Sequence, residues 1–219
     1  MTINKLLTAI NYTKGNGKQN KYIVIHYVGA TGGAEANCKY FKSVNRQASA
    51  HYFVGHQGEI WQCVEDKDIA WHCGANSYKH AYCRNTNSIG IELCCRKKAD
   101  GTWYFEDATV AAAVELVREL MKKYNIPIGN VIRHYDVTGK TCPEPYVRDA
   151  AAWNGFKNKL VEEKKIMVKL DNTPDAYANE AVNWAIKNGI LKGNEAGDYK
   201  LHTNVTRQDV LVFLYRALK

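Results

Sequence analysis

At 219 residues the chain is long enough for one well-cored domain and a small appendage but too short for four domains, which most often run to about 100–150 residues each. Its 46% hydrophobic and 24% charged residues are ordinary globular proportions, and no segment is apolar over enough length to span a bilayer, which excludes a helical membrane protein and predicts a soluble one. The net charge of +8 lies wholly in residues 1–169, because residues 170–219 carry six basic and six acidic side chains; it favours an anionic partner, with nucleic acid, a membrane surface and an acidic wall polymer all compatible.

The first ten residues hold one lysine and a short apolar stretch, and Asn11, Lys14, Asn16 and Lys18 follow where a small-residue cleavage site would stand, so no signal peptide is expected. Tyr22–Val28, rich in β-branched and aromatic residues and ending at Gly29, reads as a buried strand with His26 near its C-terminal end. Ala50–Val54 and Ile60–Val64 flank a Gly-containing loop and predict a hairpin. In the next strand, Ser88–Cys94, alternation places Ile89, Ile91 and Leu93 on one face and Gly90, Glu92 and Cys94 on the other.

From Asp107 to Tyr124, Val110, Val114, Val117, Met121 and Tyr124 recur at helical spacing, and Lys122 and Lys123 suit the C-terminal end of the dipole. A short strand Val131–His134 leads into a loop Tyr135–Pro145, and a helix is expected from Val147 to Glu162. Strands alternating with helices imply an α/β fold with a central mixed sheet flanked by helices.

Charge clusters and Pro174 then interrupt the periodicity, giving a first domain at 1–163, a linker at 164–172 and a small all-α unit at 173–219. In that unit Tyr177, Ala181, Trp184 and Ala185 form a helical face closed by Gly189, and Thr206 with Asp209 resembles a capping box opening a terminal helix. So few residues bury little surface alone. The seven cysteines are odd in number and lack a small-scaffold framework, which predicts free, buried thiols in a protein made in reducing cytoplasm.

His26, His134 and Cys142 are three soft or borderline ligands, the number that catalytic zinc takes when a fourth position stays open. Their spacing lacks a tight C-x-x-C pattern, so on these residues alone a buried histidine pair with an unrelated cysteine is the favoured reading. Glu92, on the face opposite its apolar neighbours, is either a solvated edge residue or a proton carrier. Lys140 lies two residues before Cys142, which in an extended loop puts both side chains on one side.

Five ordered segments add to this: Ile23-Val24-Ile25-His26, Ala48 through Val54, Ile69-Ala70-Trp71-His72-Cys73-Gly74, Asn87 through Glu92, and Arg133-His134-Tyr135-Asp136 with Lys140-Thr141-Cys142-Pro143. Together, over residues 20–150, they resemble the type 2 N-acetylmuramoyl-L-alanine amidase family, which includes peptidoglycan recognition proteins and phage endolysins. The resemblance implies zinc on His26, His134 and Cys142, Glu92 as general acid/base and Lys140 as a cation beside the tetrahedral oxyanion. Some members carry a catalytic tyrosine before the hairpin histidine; Ala50 stands there, which shifts weight onto Glu92.

Trp71 and His72 are expected to line the substrate groove, although core burial of Trp71 is the competing reading. Asn87 contacts substrate or shapes its turn, and His51 packs or lines the cleft. Trp184 through Gly193 with Thr206-Arg207 resembles one S-layer-homology repeat, a module that usually occurs in threes and anchors proteins to wall polysaccharide, so a homo-oligomer that pools single copies is expected.

The implied activity is cleavage of the amide between N-acetylmuramic acid and L-alanine of peptidoglycan by a zinc-activated water. The implied setting is an endolysin or autolysin, of phage, prophage or bacterial origin, that reaches the wall after release from the cytoplasm. The rival class is a non-catalytic peptidoglycan-recognition protein, whose members typically lack part of the zinc set. A nucleic-acid-binding regulator would account for the charge but not for the five segments, and no nucleic-acid partner is expected.

Overall fold

A computed structural model describes residues 1–15, 20–161, 171–195 and 197–218 of the chain. It divides into two compact units, Met1–Glu163 and Lys164–Lys219. Most of the expected linker at 164–172 lies outside the described residues.

In the first unit the strands are β1 (Ile3–Lys5), β2 (Tyr12–Thr13), β3 (Tyr22–Tyr27), β4 (Tyr52–Val54), β5 (Ile60–Gln62), β6 (Ile69–Ala70), β7 (Ser88–Leu93), β8 (Arg96–Lys97), β9 (Trp103–Tyr104) and β10 (Val131–Arg133). The helices are α1 (Ala34–Ser43), α2 (Asp107–Tyr124), α3 (His134–Thr138), α4 (Glu144–Arg148) and α5 (Ala150–Val161). Six strands form the main sheet in the order β1-β5-β4-β7-β3-β10. Only the hairpin pair β4 and β5 is antiparallel in it, so the sheet is mixed, as the alternation of strands and helices predicts.

The pleat sorts side chains to two faces. Ile23, Ile25, Ile89, Ile91 and Leu93 pack against Val114, Val117 and Leu120 of α2 and Phe156 and Leu160 of α5. On the other face Phe53 joins Ala34 and Cys38 of α1. Val24 packs there too, with Cys73, Cys83 and Val137. Covering this much apolar surface on both faces is what makes the parallel strands stable.

The first hairpin strand begins at Tyr52 instead of Ala50, and the strands around His26 and Glu92 each end one residue early, at Tyr27 and Leu93; three further boundaries moved, each for a local reason. The second hairpin strand stops at Gln62 instead of Val64, because the amides of Cys63 and Val64 both turn to the His51 carbonyl, at 2.8 and 3.4 Å, as in a bulge. His134 does not end a strand but opens α3, where the Asp136 carboxylate accepts from the Arg133 amide at 2.9 Å. The helix expected from Val147 to Glu162 is two helices, since Asp149 leaves the helical region and its carboxylate caps α5 by accepting from Ala152 N at 2.9 Å.

The second unit holds α6 (Asn179–Lys187) and α7 (Arg207–Ala217). Gly189, with φ of +69°, turns the chain after α6, a conformation glycine adopts without steric cost. Thr206 Oγ1 accepts from Asp209 N at 3.1 Å while Asp209 Oδ2 accepts from Thr206 N at 3.0 Å, the reciprocal box read from the residue types. Among the described residues no helix is long and apolar enough to cross a membrane.

Candidate metal centre

Three adjacent parallel strands, β7, β3 and β10, bring the polar cluster together at their C-terminal ends, where open α/β sheets place their sites. His26 and Glu92 are register partners on β3 and β7 and share the face opposite the α2 core. His134 follows β10 directly, and Cys142 arrives on the loop after α3, tied back by Tyr135 N donating to the Cys142 carbonyl at 2.7 Å. Donor atoms of His26, His134 and Cys142 all lie within 4.8 Å of one another, and all three residues are buried. Cys142 Sγ is 3.7 Å from His26 Nδ1, and Glu92 Oε1 is 3.9 Å from the same nitrogen.

Burial sets the charge states of this cluster. It pushes His26 well below the ordinary histidine range, with His134 and His72 adding to the effect, and lowers His134 to about 4 with help from Lys140. Both rings are therefore neutral, the form that ligates metals. The Cys142 thiol is pushed up by burial and then by Glu92, which a divalent cation among these atoms would reverse. Glu92 is raised to about 8 by burial against the opposing pull of Lys140, and its Oε2 is buried with no hydrogen-bond partner. Two imidazoles and a thiol with an unpaired carboxylate beside them suit zinc with an open coordination position.

An open cavity of about 710 Å³ meets the cluster, lined by Gln47, Trp71, His72, Asn85, His134 and Lys140 among others. Trp71 is half-buried in its wall, its indole N–H donating to Thr13 Oγ1 at 2.9 Å, so it belongs to the cavity wall and not to the core. Lys140 is exposed on the same wall.

The remaining expected substrate contacts lie elsewhere or have their polar atoms engaged. His51 is fully buried; its Nδ1 accepts from Gly90 N at 3.0 Å and its Nε2 meets the Asp68 carbonyl at 3.1 Å, so it packs and does not line the cleft. Asn87 shapes the turn before β7, accepting from Arg84 N at 2.8 Å and donating to the Tyr82 carbonyl at 3.0 Å. Asn85, not Asn87, borders the cavity, and its Oδ1 accepts from the amides of His72 and Cys73 at 3.1 and 2.8 Å.

His72 does border the cavity, but both ring nitrogens are engaged inward. Nδ1 lies 3.0 Å from His26 Nε2, and Nε2 lies 3.1 Å from Ser88 Oγ. Ser88 escaped the sequence reading, which placed Gly90 on the face of Glu92 without giving it a role, although the same alternation puts Ser88 there too. All seven cysteines are buried and free of disulfides.

Residues 16–145 match the family model for N-acetylmuramoyl-L-alanine amidases, and residues 170–211 match that for the S-layer homology domain. A probable N-acetylmuramoyl-L-alanine amidase of Bacillus licheniformis is 33% identical over 201 residues, covering 84% of this chain and 53% of the relative. The amidase CwlL of the same species is 36% identical over 152 residues, 64% of this chain and 40% of the relative. The chain thus spans about half the length of the relatives it matches. Among solved structures, PlyL aligns with a TM-score of 0.62 at 29% identity, covering 73% of this chain and 97% of that one. The catalytic domain of XlyA aligns at 0.60 and 28% identity, covering 73% and 99%.

Proposed function

The chain belongs to the type 2 N-acetylmuramoyl-L-alanine amidase family, and from that premise we propose that residues 1–163 are a zinc-dependent hydrolase of peptidoglycan, acting as an endolysin or autolysin. The bond cut is the amide between N-acetylmuramic acid and the L-alanine of the stem peptide. The observation that carries the reading is the Glu92 carboxylate, with Oε2 buried and unpartnered and Oε1 3.9 Å from His26 Nδ1, beside the clustered donors of His26, His134 and Cys142.

Those three residues would hold the ion, which when bound would polarise the scissile carbonyl and acidify a water molecule. Glu92 takes the proton of the attacking water and passes it to the departing amine nitrogen. Burial raises this carboxyl in the metal-free chain, and a bound cation would draw it back toward the ionised form that accepts a proton. Lys140, on the wall it shares with His134, offers a cation to the oxygen that becomes negative as the tetrahedral centre forms. Trp71 gives the cavity an apolar face against which sugar or peptide is held.

Residues 173–219 are read as a wall-binding module for secondary wall polysaccharide, joined through 164–172. Exposed apolar residues on α7, among them Leu211, Leu214 and Tyr215, support the pooling of single modules from several chains. A monomeric mass by light scattering at micromolar concentration overturns that pooling.

Mass spectrometry of muropeptides, after purified walls are incubated with the zinc-loaded and the chelated protein, tests the activity. Free stem peptides released only with zinc are the expected result. Walls that stay intact while the protein binds them would replace the hydrolase by a non-catalytic recognition protein.

A further inference from the structure

We propose that Ser88 and His72 are positioning residues that set the tautomer of His26, keeping its Nδ1 bare toward Cys142 and Glu92; the proposal rests on the metal-dependent reading above. Counting protons from the outer end of the relay gives each direction. Ser88 Oγ lies 2.7 Å from the Arg84 carbonyl, which can only accept, so the single hydroxyl proton is spent there. Ser88 Oγ must then accept from His72 Nε2 at 3.1 Å, so in the single-proton form of the His72 ring the proton sits on Nε2. His72 Nδ1 is left as an acceptor 3.0 Å from His26 Nε2, so His26 donates at Nε2 and its Nδ1 carries no proton. That nitrogen is the atom 3.7 Å from Cys142 Sγ and 3.9 Å from Glu92 Oε1.

The strand is shaped around this relay. Ser88, Gly90 and Glu92 share one face of β7, in register with Tyr22, Val24 and His26 of β3. A Cβ on Gly90 would stand 2.4 Å from Cγ of His72, closer than real contacts allow, so Gly90 makes the space the ring occupies. The His72 backbone is fixed by Asn85, as described, and Ser88 and His72 are only 1% and 8% exposed, which keeps water from offering the ring other partners. One face of one strand thus carries the proton carrier at one end and the anchor of a metal ligand at the other.

The relay is tested on the full chain in two ways. Nitrogen-15 NMR of the metal-free wild type should show His26 protonated at Nε2 and bare at Nδ1, and Ser88→Ala should turn this into a mixture of tautomers. Zinc affinity measured by chelator competition should fall about 10-fold in Ser88→Ala and more in His72→Ala, while His72→Asn, which retains an acceptor near the Nδ1 position, stays closer to wild type. A wild-type His26 protonated at Nδ1, or Ser88→Ala and His72→Ala binding zinc as tightly as wild type, would overturn the relay. If Ser88→Ala does not fold, the wild-type spectrum decides alone. A wild type that binds no zinc, yet shows the expected tautomer, would instead sink the metal-dependent reading and leave the relay standing.

Discussion

Replacing Glu92 by glutamine should stabilise the metal-free fold while removing most of the activity. An ordinary glutamate titrates near 4.5, whereas burial in the folded, metal-free chain holds the Glu92 proton until about pH 8. Between those values the folded state binds more protons than the unfolded one, so stability is full below the lower value and is lost as pH rises through the window. Glutamine carries no such cost. The span from 4.5 to about 8 sets a ceiling of about 5 kcal/mol on the gain, at ~1.4 kcal/mol per pH unit. With 20% of the side chain exposed, water relieves part of the penalty, and we expect about 2–3 kcal/mol.

Urea unfolding in chelator, at about pH 4.5 and about pH 8.5, reads this directly: the variant should match wild type in acid and gain its full advantage in base. Adding zinc should shrink the advantage, since a neighbouring cation favours the carboxylate. Muropeptide release should fall by at least about 100-fold with zinc still bound. An equal gain at both pH values, or a larger one in acid, refutes the reasoning about burial. Wild-type turnover in the variant removes Glu92 from proton transfer.

Cys142→Ser should weaken zinc retention, because a hydroxyl replaces a soft thiolate; full metal content after dialysis would point to another ligand set. Lys140→Ala should lower kcat by about 100-fold at unchanged zinc content, and equal kcat would leave the lysine without a role in the transition state. Trp71→Ala should raise KM and leave metal content alone, as expected of a residue lining the cavity. Asn87→Ala should do the reverse, leaving KM unchanged while thermal unfolding shows a loss of about 1 kcal/mol from its turn contacts. A raised KM for Asn87→Ala would return that residue to the substrate groove.

The strand around His26, the face assignment of Glu92 and the helix Asp107–Tyr124 could be read from residue order because each depends on local periodicity, which the folded chain only has to obey. The box at Thr206 was legible for the same reason: donor and acceptor are three residues apart. The break at Asp149 was just as local and was missed because apolar spacing on both sides of it mimics one helix.

Residue order by itself therefore determined the fold class, the family and the residue types able to hold a metal. It did not single out a metal site over an unrelated histidine pair, since His26 and Cys142 are 116 positions apart and nothing local links them. Tertiary structure brought the donor atoms of His26, His134 and Cys142 within 4.8 Å of one another by ending β3, β7 and β10 at the same end of the sheet. It also separated residues that composition treats alike. His51 is consumed by backbone partners, His72 is turned toward His26, and Asn85 rather than Asn87 borders the cavity. The physical reason is that a polar side chain's role depends on which groups its neighbours leave unsatisfied, and those neighbours come from segments that meet only when the sheet has formed.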